Sequence, residues 1–262
     1  MKAVIFARHG GPEVLEYADA PDPSITDDEI VVRVKACALN HLDIWIRQGI
    51  PAYRIDLPHI SGCDVAGVVE RIGAAVKDVR PGEAVVLSPG TSCGHCEWCR
   101  QGQEPFCASY GIRGAATPGG YAELTAARAR DALPLPQGLS FEAAAAFPLV
   151  FLTAWHMLVT RAGLKAGETI LVHAAGSGVG HAAVQIAKHR KATVFATVGS
   201  AAKAPKAKAL GADDVINYQQ DDFEAQVLAL TQGRGVDVVC DHIGQQTWEK
   251  SLRVLVKGGR LV

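Results

Sequence analysis

Four cysteines lie within one short polar stretch in the first half of the chain: Cys93, Cys96, Cys99 and Cys107. Glycines and prolines surround them, and no apolar periodicity explains their spacing. Four thiolates this close in sequence can bind one tetrahedral zinc ion at ~2.3 Å each, and metal binding then supplies the folding free energy that a segment with so few apolar residues lacks. Disulfides and an iron–sulfur cluster are the alternatives, but nothing indicates export and the spacing matches neither common ferredoxin pattern. The pattern therefore predicts a structural zinc site.

A glycine-rich loop covers residues 174–180, with the sequence Ala-Ala-Gly-Ser-Gly-Val-Gly. Small residues allow a tight turn and let backbone N–H groups approach a pyrophosphate at a helix N-terminus, where the helix dipole favours an anion. Such a string alone is weak evidence, but here it follows a predicted strand and begins an amphipathic helix, as a βαβ unit requires. We therefore predict a dinucleotide-binding loop formed by Gly176, Ser177, Gly178, Val179 and Gly180.

The end of the next strand indicates which dinucleotide binds. An NAD-selective site usually places Asp or Glu there to hold the ribose hydroxyls. This strand ends in Gly199 and Ser200 without an acid, and Lys203 follows. A hydroxyl and a cation tolerate a 2′-phosphate that a carboxylate would repel, so we predict NADPH as the preferred cofactor. The alternative is that Lys203 is only a solvated residue at the start of a helix.

The pattern of apolar residues changes at Phe141 and divides the chain. Before it, short apolar runs separated by turn residues predict a barrel-like β domain, with strands over Lys2–Ala7, Ile30–Lys35, Val65–Ile72, Glu83–Leu87 and Tyr121–Thr125. After it, an Ala-rich helix over Phe141–Val159 precedes alternating strand and helix patterns that continue to the end of the chain. That alternation predicts an α/β fold with a doubly wound parallel sheet.

Composition excludes several classes of protein. Among 262 residues, 26 Lys and Arg balance 27 Asp and Glu, so the charge gives no indication of a nucleic-acid partner. The N-terminal apolar run is too short for a signal peptide, and we find no apolar stretch of ~18 residues for a membrane span. With four of the seven cysteines assigned to a metal, the remaining Cys37, Cys63 and Cys240 are expected to be small buried residues in a cytoplasmic protein.

Several local signatures together resemble one family. They are Val65–Gly73 after Gly62, Val79–Val85, Gly119–Glu123 and Gly211–Tyr218, in addition to the cysteine lobe. In these features the whole chain resembles the zinc-type medium-chain dehydrogenase/reductases, the alcohol dehydrogenase superfamily. The resemblance implies a GroES-like catalytic domain over residues 1–148, with its zinc lobe at 88–111, and an NAD(P)-binding Rossmann domain over residues 149–262.

The resemblance also implies where a second, catalytic zinc would bind. At the positions of its three ligands this chain has Asn40, Cys63 and Leu149, so two of the three are missing. A rearranged site using Cys63, Asp64, His41 or His59 is conceivable because all are zinc-binding types, whereas the plainer interpretation makes the histidines surface or hydrogen-bonded residues. We expect one zinc ion per chain.

The branch of the family without catalytic zinc includes quinone oxidoreductases and related enone reductases. By resemblance to it, Asn40, Asp43, Trp45, Arg47 and Cys63 line the nicotinamide and substrate pocket, although Trp45 as a core residue and an Asp43–Arg47 ion pair are the structural alternatives. Thr153 resembles the family threonine that hydrogen-bonds the nicotinamide carboxamide, and Tyr218 and Gly244 are expected to contact the cofactor. No residue stands out as the proton donor, and water is the candidate.

Two departures from the family pattern stand out. Lys191 takes the place of the usual glycine after the helix that follows the glycine loop, at a helix end where the resemblance implies a left-handed backbone conformation. The chain ends at Val262 with what we predict to be the fifth Rossmann strand, whereas family members continue through a sixth strand and return to the β domain. We therefore expect a fragment with an incomplete Rossmann domain, from a full-length protein that forms a homodimer or tetramer.

Three functional hypotheses follow. The first is an NADPH-dependent reductase of quinones or α,β-unsaturated carbonyls, because such substrates are electron-poor at carbon and need no Lewis acid. The second is an alcohol or aldehyde dehydrogenase with an atypical catalytic zinc site. The third is a non-catalytic NADPH-binding or redox-sensing protein in which Cys63 is a reactive thiol.

Overall fold

Short apolar runs in the first half of the chain form an antiparallel sheet of five strands. The computed structural model describes residues 1–51 and 54–262, and Met1–Leu149 forms the first of two compact units. Its strands and helices are β1 (Lys2–Ile5), β2 (Glu16–Asp19), β3 (Glu29–Ala38), α1 (His41–Gln48), β4 (Asp64–Ile72), β5 (Ala84–Leu87), β6 (Gly90–Thr91), α2 (Glu97–Arg100), β7 (Gly111–Ile112), β8 (Leu124–Arg128), β9 (Ala132–Pro134) and α3 (Phe141–Ala145).

The main sheet of this unit has the order β8-β3-β4-β5-β9, and β1 pairs with β2 and β6 with β7 in two small antiparallel sheets. Fully buried aliphatic residues of β3 and β4, such as Ile30, Val32 and Val65, form its core. The strand predicted over Tyr121–Thr125 begins three residues later, at Leu124. The preceding N–H groups of residues 119–121 instead bond to the carbonyls of Ile60, Gly62 and Ser61.

Residues Val150–Val262 form the second unit, built around a five-stranded parallel sheet of order β12-β11-β10-β13-β14. After α4 (Pro148–Trp155), its elements are β10 (Thr169–Val172), α5 (Gly178–His189), β11 (Thr193–Val198), α6 (Ala204–Ala209), β12 (Asp214–Asn217), α7 (Phe223–Leu230), β13 (Val236–Cys240), α8 (Trp248–Arg253) and β14 (Leu255–Leu261). This is the doubly wound order whose switch point lies between the first and fourth strands of the series, β10 and β13. The α/β fold class predicted from the sequence is confirmed.

The Ala-rich segment is helical but is not one α-helix. It breaks between Ala145 and Pro148, because proline lacks the N–H that an uninterrupted helix needs. After Trp155 it continues as a π-helical turn, His156–Arg161. Contrary to the expectation from the sequence, Phe141–Arg161 is long and apolar enough to span a membrane by length and composition alone, a test that the core helix of a soluble protein also passes.

Lys191 adopts the left-handed conformation expected at a helix end, with φ of 60°. Its N–H donates to the carbonyl of Lys188, and its own carbonyl accepts from Gly167 N–H, so the turn joins α5 to β11 through hydrogen bonds that any residue could form. A side chain with a Cβ pays roughly 1–2 kcal/mol in this conformation.

Replacing Lys191 with glycine should therefore stabilise the protein by about 1 kcal/mol, because the hydrogen bonds remain and the steric strain is removed. Urea unfolding followed by circular dichroism measures the change. Arg190→Gly is the matched control, since Arg190 has φ of −77° and gains nothing from glycine. A Lys191→Gly protein no more stable than the parent would contradict the assigned strain.

Candidate functional site

The four cysteines of the lobe converge. Their Sγ atoms all lie within 4.8 Å of one another. The Cys96–Cys99 and Cys93–Cys99 sulfur distances are 3.5 and 3.9 Å. Four zinc–sulfur bonds of ~2.3 Å in a tetrahedron give sulfur–sulfur edges of about 3.8 Å, so the spacing suits a zinc ion and is far from the ~2.05 Å of a disulfide.

Backbone donors support thiolates at this position. The N–H groups of Cys96 and Gly94 point at the sulfurs of Cys93 and Cys99, at 3.4 and 3.3 Å. Hydrogen bonds from the backbone at His95 and Cys96 lower the pKa of Cys93 to about 6. A thiol that ionises near neutral pH is a ready metal ligand.

Local structure brings the sulfurs together. Cys96 and Cys99 lie one turn apart at the start of α2, so their side chains share one face. A 3₁₀ turn over Glu104–Phe106 then places Cys107 near them. The β6–β7 pair closes the base of the lobe, and Arg128 Nη1 donates to the carbonyls of Ser92 and Cys93. The lobe is thus attached to β8 by a charged side chain.

The glycine loop lies at the switch point of the parallel sheet, between β10 and α5. Ser177 is the N-cap that precedes α5. Its Oγ accepts the N–H of Gly180 at 3.0 Å and bonds Nε2 of His242, which lies just after β13, at 2.9 Å. A Cβ on Gly180 would lie 2.2 Å from the carbonyl oxygen of Ala174, so only glycine allows this helix to pack so closely on the loop. Close packing of this kind is the role of the third glycine in a dinucleotide-binding loop.

The predicted cofactor residues beyond the loop lie around it in the same unit. Lys203 is in a 3₁₀ turn after Ser200, and its side chain lies against Gly176, where a Cβ would be 2.9 Å from Lys203 Cδ. The Tyr218 hydroxyl lies closer still over Gly199, where a Cβ would be 2.4 Å from it. These residues could hold the adenosine half of a dinucleotide.

Gly244 and Thr153 are the two remaining residues predicted to contact the cofactor. Gly244 has φ of 87° in a turn whose N–H groups bond Asp241 Oδ1. Thr153 is half-buried on α4. Their roles, like those of the other predicted site residues, stay predictions.

Asn40 connects the predicted substrate residues of the first unit. It lies at the N-terminus of α1, and its Nδ2 donates to Asp64 Oδ2 at 2.8 Å and to Cys63 Sγ at 3.4 Å. Cys63 and Asp64 are each 1% exposed. Burial raises the pKa of Asp64 to about 6, although the hydrogen bonds from Asn40 and from Leu149 N–H oppose the shift.

Asp43 is fixed by three donors rather than by an ion pair. Its carboxylate accepts from Asn40 N–H at 2.7 Å, Gly62 N–H at 3.1 Å and the Tyr121 hydroxyl at 2.7 Å. Gly62 has φ of 101°, and a Cβ there would lie 2.8 Å from Cys37 Sγ, so this close approach needs glycine. Arg47 instead donates to the carbonyl of Gly10, and the alternative of an Asp43–Arg47 ion pair is wrong.

A cavity of about 750 Å³ lies beside these groups. Asn40, Asp43, Arg47 and Tyr121 all line it. Trp45 is 50% exposed and packs edge-on against His41, so the alternative that it is a core residue is wrong. The structure thus brings Asn40, Asp43, Arg47 and Cys63 to one place and leaves Trp45 beside it.

The residues considered for a second zinc site do not converge. Over residues 1–51 and 54–262, the cluster of Cys93, Cys96, Cys99 and Cys107 is the only group of three or more metal-binding side chains with this geometry. His59 is buried and bonds the carbonyl of Gly114 at 2.9 Å, as the plainer interpretation predicted. His41 is exposed on α1.

Sequence reasoning missed two residues of this arrangement. Asp64 was considered only as an alternative zinc ligand, and Tyr121 only as part of a family signature. Their hydrogen bonds to Asn40 and Asp43 connect positions 24 and 78 residues apart, which no local pattern reveals.

Comparison with known proteins agrees with this geometry. Residues 26–137 match the alcohol dehydrogenase GroES-like domain family, and residues 178–262 match the zinc-binding dehydrogenase family. The chain is 35% identical over 260 residues to quinone oxidoreductase 1 of Escherichia coli (strain K12), covering 98% of this chain and 70% of that protein. It is 36% identical over 262 residues to a quinone oxidoreductase of Pseudomonas aeruginosa, covering 100% and 72% of the two.

Solved structures give the same result. A crystal structure of an NAD-dependent alcohol dehydrogenase superposes with a TM-score of 0.95 at 48% identity, covering all of this chain and 76% of that one. Escherichia coli quinone oxidoreductase in complex with NADPH superposes with a TM-score of 0.84 at 34% identity, covering 100% and 72%. The chain therefore belongs to the zinc-type medium-chain dehydrogenase/reductases, the alcohol dehydrogenase superfamily, and is an NAD(P)H-dependent oxidoreductase acting on a small molecule.

Proposed function

We propose that this enzyme transfers hydride from NADPH to a quinone or an α,β-unsaturated carbonyl, with one structural zinc ion in the cysteine lobe. The observation that carries the proposal is the Asn40 amide, which bonds both Cys63 and Asp64 where zinc-dependent members would bind their catalytic metal. An amide nitrogen is a poor metal ligand, because its lone pair is delocalised into the carbonyl group and its two hydrogens point at Cys63 and Asp64.

The proposed substrate class follows from having Asn40 in place of a catalytic-zinc ligand. A carbonyl without a Lewis acid lacks the polarisation that a metal ion supplies, and an alcohol keeps a hydroxyl pKa too high for hydride abstraction near neutral pH. Quinones and enones accept hydride at a carbon that their own conjugation makes electron-poor. Positioning is then the main contribution of the protein.

Different residues would position the cofactor and the substrate. NADPH, when bound, supplies the hydride. We assign the pyrophosphate to the loop over residues 176–180, the 2′-phosphate to Ser200 and Lys203, and the nicotinamide carboxamide to Thr153. Asn40, Asp43 and Arg47 would orient the substrate in the adjoining cavity, and water would supply the proton. The units Met1–Leu149 and Val150–Val262 correspond in this proposal to the catalytic and cofactor domains.

An alcohol dehydrogenase is the second candidate, because the neighbour at 48% identity is described as an NAD-dependent alcohol dehydrogenase. The convergence of only one metal-binding group in the described part of the chain favours the reductase. The non-catalytic alternative is wrong for a member of this oxidoreductase family, and burial also raises the pKa of the Cys63 thiol, which is unfavourable for a reactive thiolate.

Two further proposals concern the oligomeric state and the cellular compartment. The resemblance supports a homodimer or tetramer. A reducing compartment, the cytoplasm, suits a chain whose seven cysteines, all in the described part of the structure, form no disulfide bond.

Metal content and substrate range together test the main proposal. We expect one zinc ion per chain by elemental analysis, and NADPH oxidation that is faster with quinones and enones than with aldehydes. Brief treatment with a chelator that leaves the lobe zinc bound should not change the rate. Two zinc ions per chain, with chelator-sensitive alcohol turnover, would establish the alcohol dehydrogenase instead.

Asn40→Ala tests the substrate-side assignment. Removing the amide leaves Asp64 Oδ2 and Cys63 Sγ without their donor. We expect kcat/KM to fall about 10- to 100-fold, because a change of that size corresponds to the free energy of one hydrogen bond to a charged group. The NADPH dissociation constant should stay unchanged. Gln48→Ala, an exposed change on the same helix, is the control. Equal losses in both variants would contradict a specific role for Asn40.

Cofactor choice is tested at Lys203. Lys203→Ala should weaken NADPH binding about 10-fold while leaving NADH binding nearly unchanged, because only NADPH carries the 2′-phosphate. Fluorescence titration of both cofactors measures the ratio, with Lys206→Ala on α6 as the control. Tighter binding of NADH than NADPH by the parent protein would refute the assignment.

A further inference from the structure

A chain of buried hydrogen bonds leads to the glycine loop of the second unit. At its centre is His173, the residue after β10, which is 1% exposed. Its Nδ1 lies 3.2 Å from the Oγ1 of Thr197 on β11, and its Nε2 lies 3.0 Å from the Oγ of Ser251 on α8. Thr197 and Ser251 are themselves fully buried. The cofactor contacts assigned above give these three polar side chains no role.

Asp241, just after β13, anchors one end of this chain. Its Oδ2 accepts hydrogen bonds from the hydroxyls of Ser251 at 2.9 Å and Thr247 at 2.7 Å. Its Oδ1 accepts the N–H groups of Ile243 and Gly244. Although burial opposes the shift, these hydrogen bonds lower the pKa of Asp241. At neutral pH the side chain is therefore a carboxylate, which only accepts hydrogen bonds.

The direction of each hydrogen bond follows from that carboxylate. A hydroxyl has a single hydrogen, and Ser251 donates it to Asp241, so the Ser251 oxygen accepts from His173 Nε2. Burial lowers the pKa of His173 to about 4, although the charge of Asp241 opposes the shift. The ring is thus neutral near pH 7 and carries its one hydrogen on Nε2. Its Nδ1 is then the acceptor for the hydroxyl of Thr197.

The other end of the chain is the first residue of the glycine loop. Thr197 Oγ1 accepts the N–H of Ala174 at 3.0 Å. Ala174 has φ of 46°, a left-handed conformation that is strained for a residue with a Cβ. Its carbonyl oxygen accepts the N–H of Ser177 at 2.8 Å and is the atom against which Gly180 packs. The conformation of Ala174 therefore sets the shape of the loop.

The same residues lie beside a cavity at the carboxyl ends of the parallel strands. The cavity has a volume of about 250 Å³, and His173, Ala174 and Thr197 line it. Tyr218, which is predicted to contact the cofactor, lines it as well. The hydrogen-bond chain thus reaches the edge of the sheet where open α/β folds bind their ligands.

We propose that His173 is a positioning residue for the dinucleotide. It connects the Asp241 carboxylate to the Thr197 hydroxyl, which holds Ala174 in its left-handed conformation and so fixes the glycine loop before the cofactor binds. A loop that is already held in its binding conformation loses less conformational entropy on binding, and affinity rises accordingly. The inference rests on the proposed assignment of the pyrophosphate to residues 176–180.

Fluorescence titration of matched variants tests the proposal. Thr197→Val is nearly isosteric but loses the hydroxyl, so we expect the dissociation constants of NADPH and NADH to rise alike by about ten-fold, since both contain the pyrophosphate. The kcat at saturating NADPH should stay unchanged. Thr197→Ser restores the hydroxyl and should bind both cofactors nearly as tightly as the parent. His173→Leu should weaken binding in the same way, and the two Thr197 variants provide the test if it does not fold.

Two further measurements separate positioning from a general loss of stability. Val236 is fully buried at the start of β13, at the opposite end of the sheet from the glycine loop. Val236→Ala should therefore lower Tm without changing cofactor affinity. Nitrogen-15 NMR of the histidine rings reads the hydrogen position directly, and His173 should carry its hydrogen on Nε2 at pH 7.

Gly180→Ala distinguishes this inference from the assignment on which it rests. The added Cβ would collide with the carbonyl of Ala174, so NADPH binding should be lost whatever His173 does. Parent-like binding by Gly180→Ala would overturn the loop assignment and this inference together. If Gly180→Ala fails to bind, parent-like binding by Thr197→Val, a Thr197→Ser protein as weak as Thr197→Val, or a hydrogen on Nδ1 of His173 would each overturn this inference alone.

Discussion

The arrangement of the substrate side depends on one buried carboxylate, that of Asp64. It begins β4 and accepts hydrogen bonds from the Asn40 amide and from Leu149 N–H, both at 2.8 Å. Three segments far apart in sequence therefore meet at a single group: the start of α1, the start of β4, and the start of α4. A carboxylate that is 1% exposed must have such partners, because an unpaired buried charge is costly.

The hydrogen bond from Asn40 to Asp64 also bears on the proposed reaction. The Asn40 amide donates to Asp64 and Cys63, and in the proposed function Asn40 stands where a metal-dependent relative would polarise its substrate. The neighbouring Asp43 is equally committed, to two backbone N–H groups and to Tyr121. These side chains form a rigid polar wall suited to orienting a substrate that is already reactive.

The cysteine lobe and the glycine loop solve different physical problems. The lobe has few apolar residues, and its sulfurs lie at the spacing of a tetrahedral zinc site, so a metal would provide its stability without taking part in hydride transfer. The glycine loop is ordered by the parallel sheet beneath it, and the Ser177–His242 hydrogen bond joins the ends of the two strands at the switch point. The cysteine cluster and the glycine loop thus lie in separate units of the chain.

The sequence by itself determined the features that depend on local spacing. Cysteine intervals predicted the cluster, the alternation of strands and helices predicted the parallel sheet, and the position of Lys191 predicted its left-handed turn. The strand predicted at Tyr121 and the single helix over Phe141–Val159 were displaced or broken, because backbone hydrogen bonds to distant segments and one proline override local preference. Only the tertiary structure decided that Asn40 bonds Asp64 and that Tyr121 bonds Asp43. Those facts depend on long-range packing, which brings together side chains whose separation in sequence has no periodicity to reveal it.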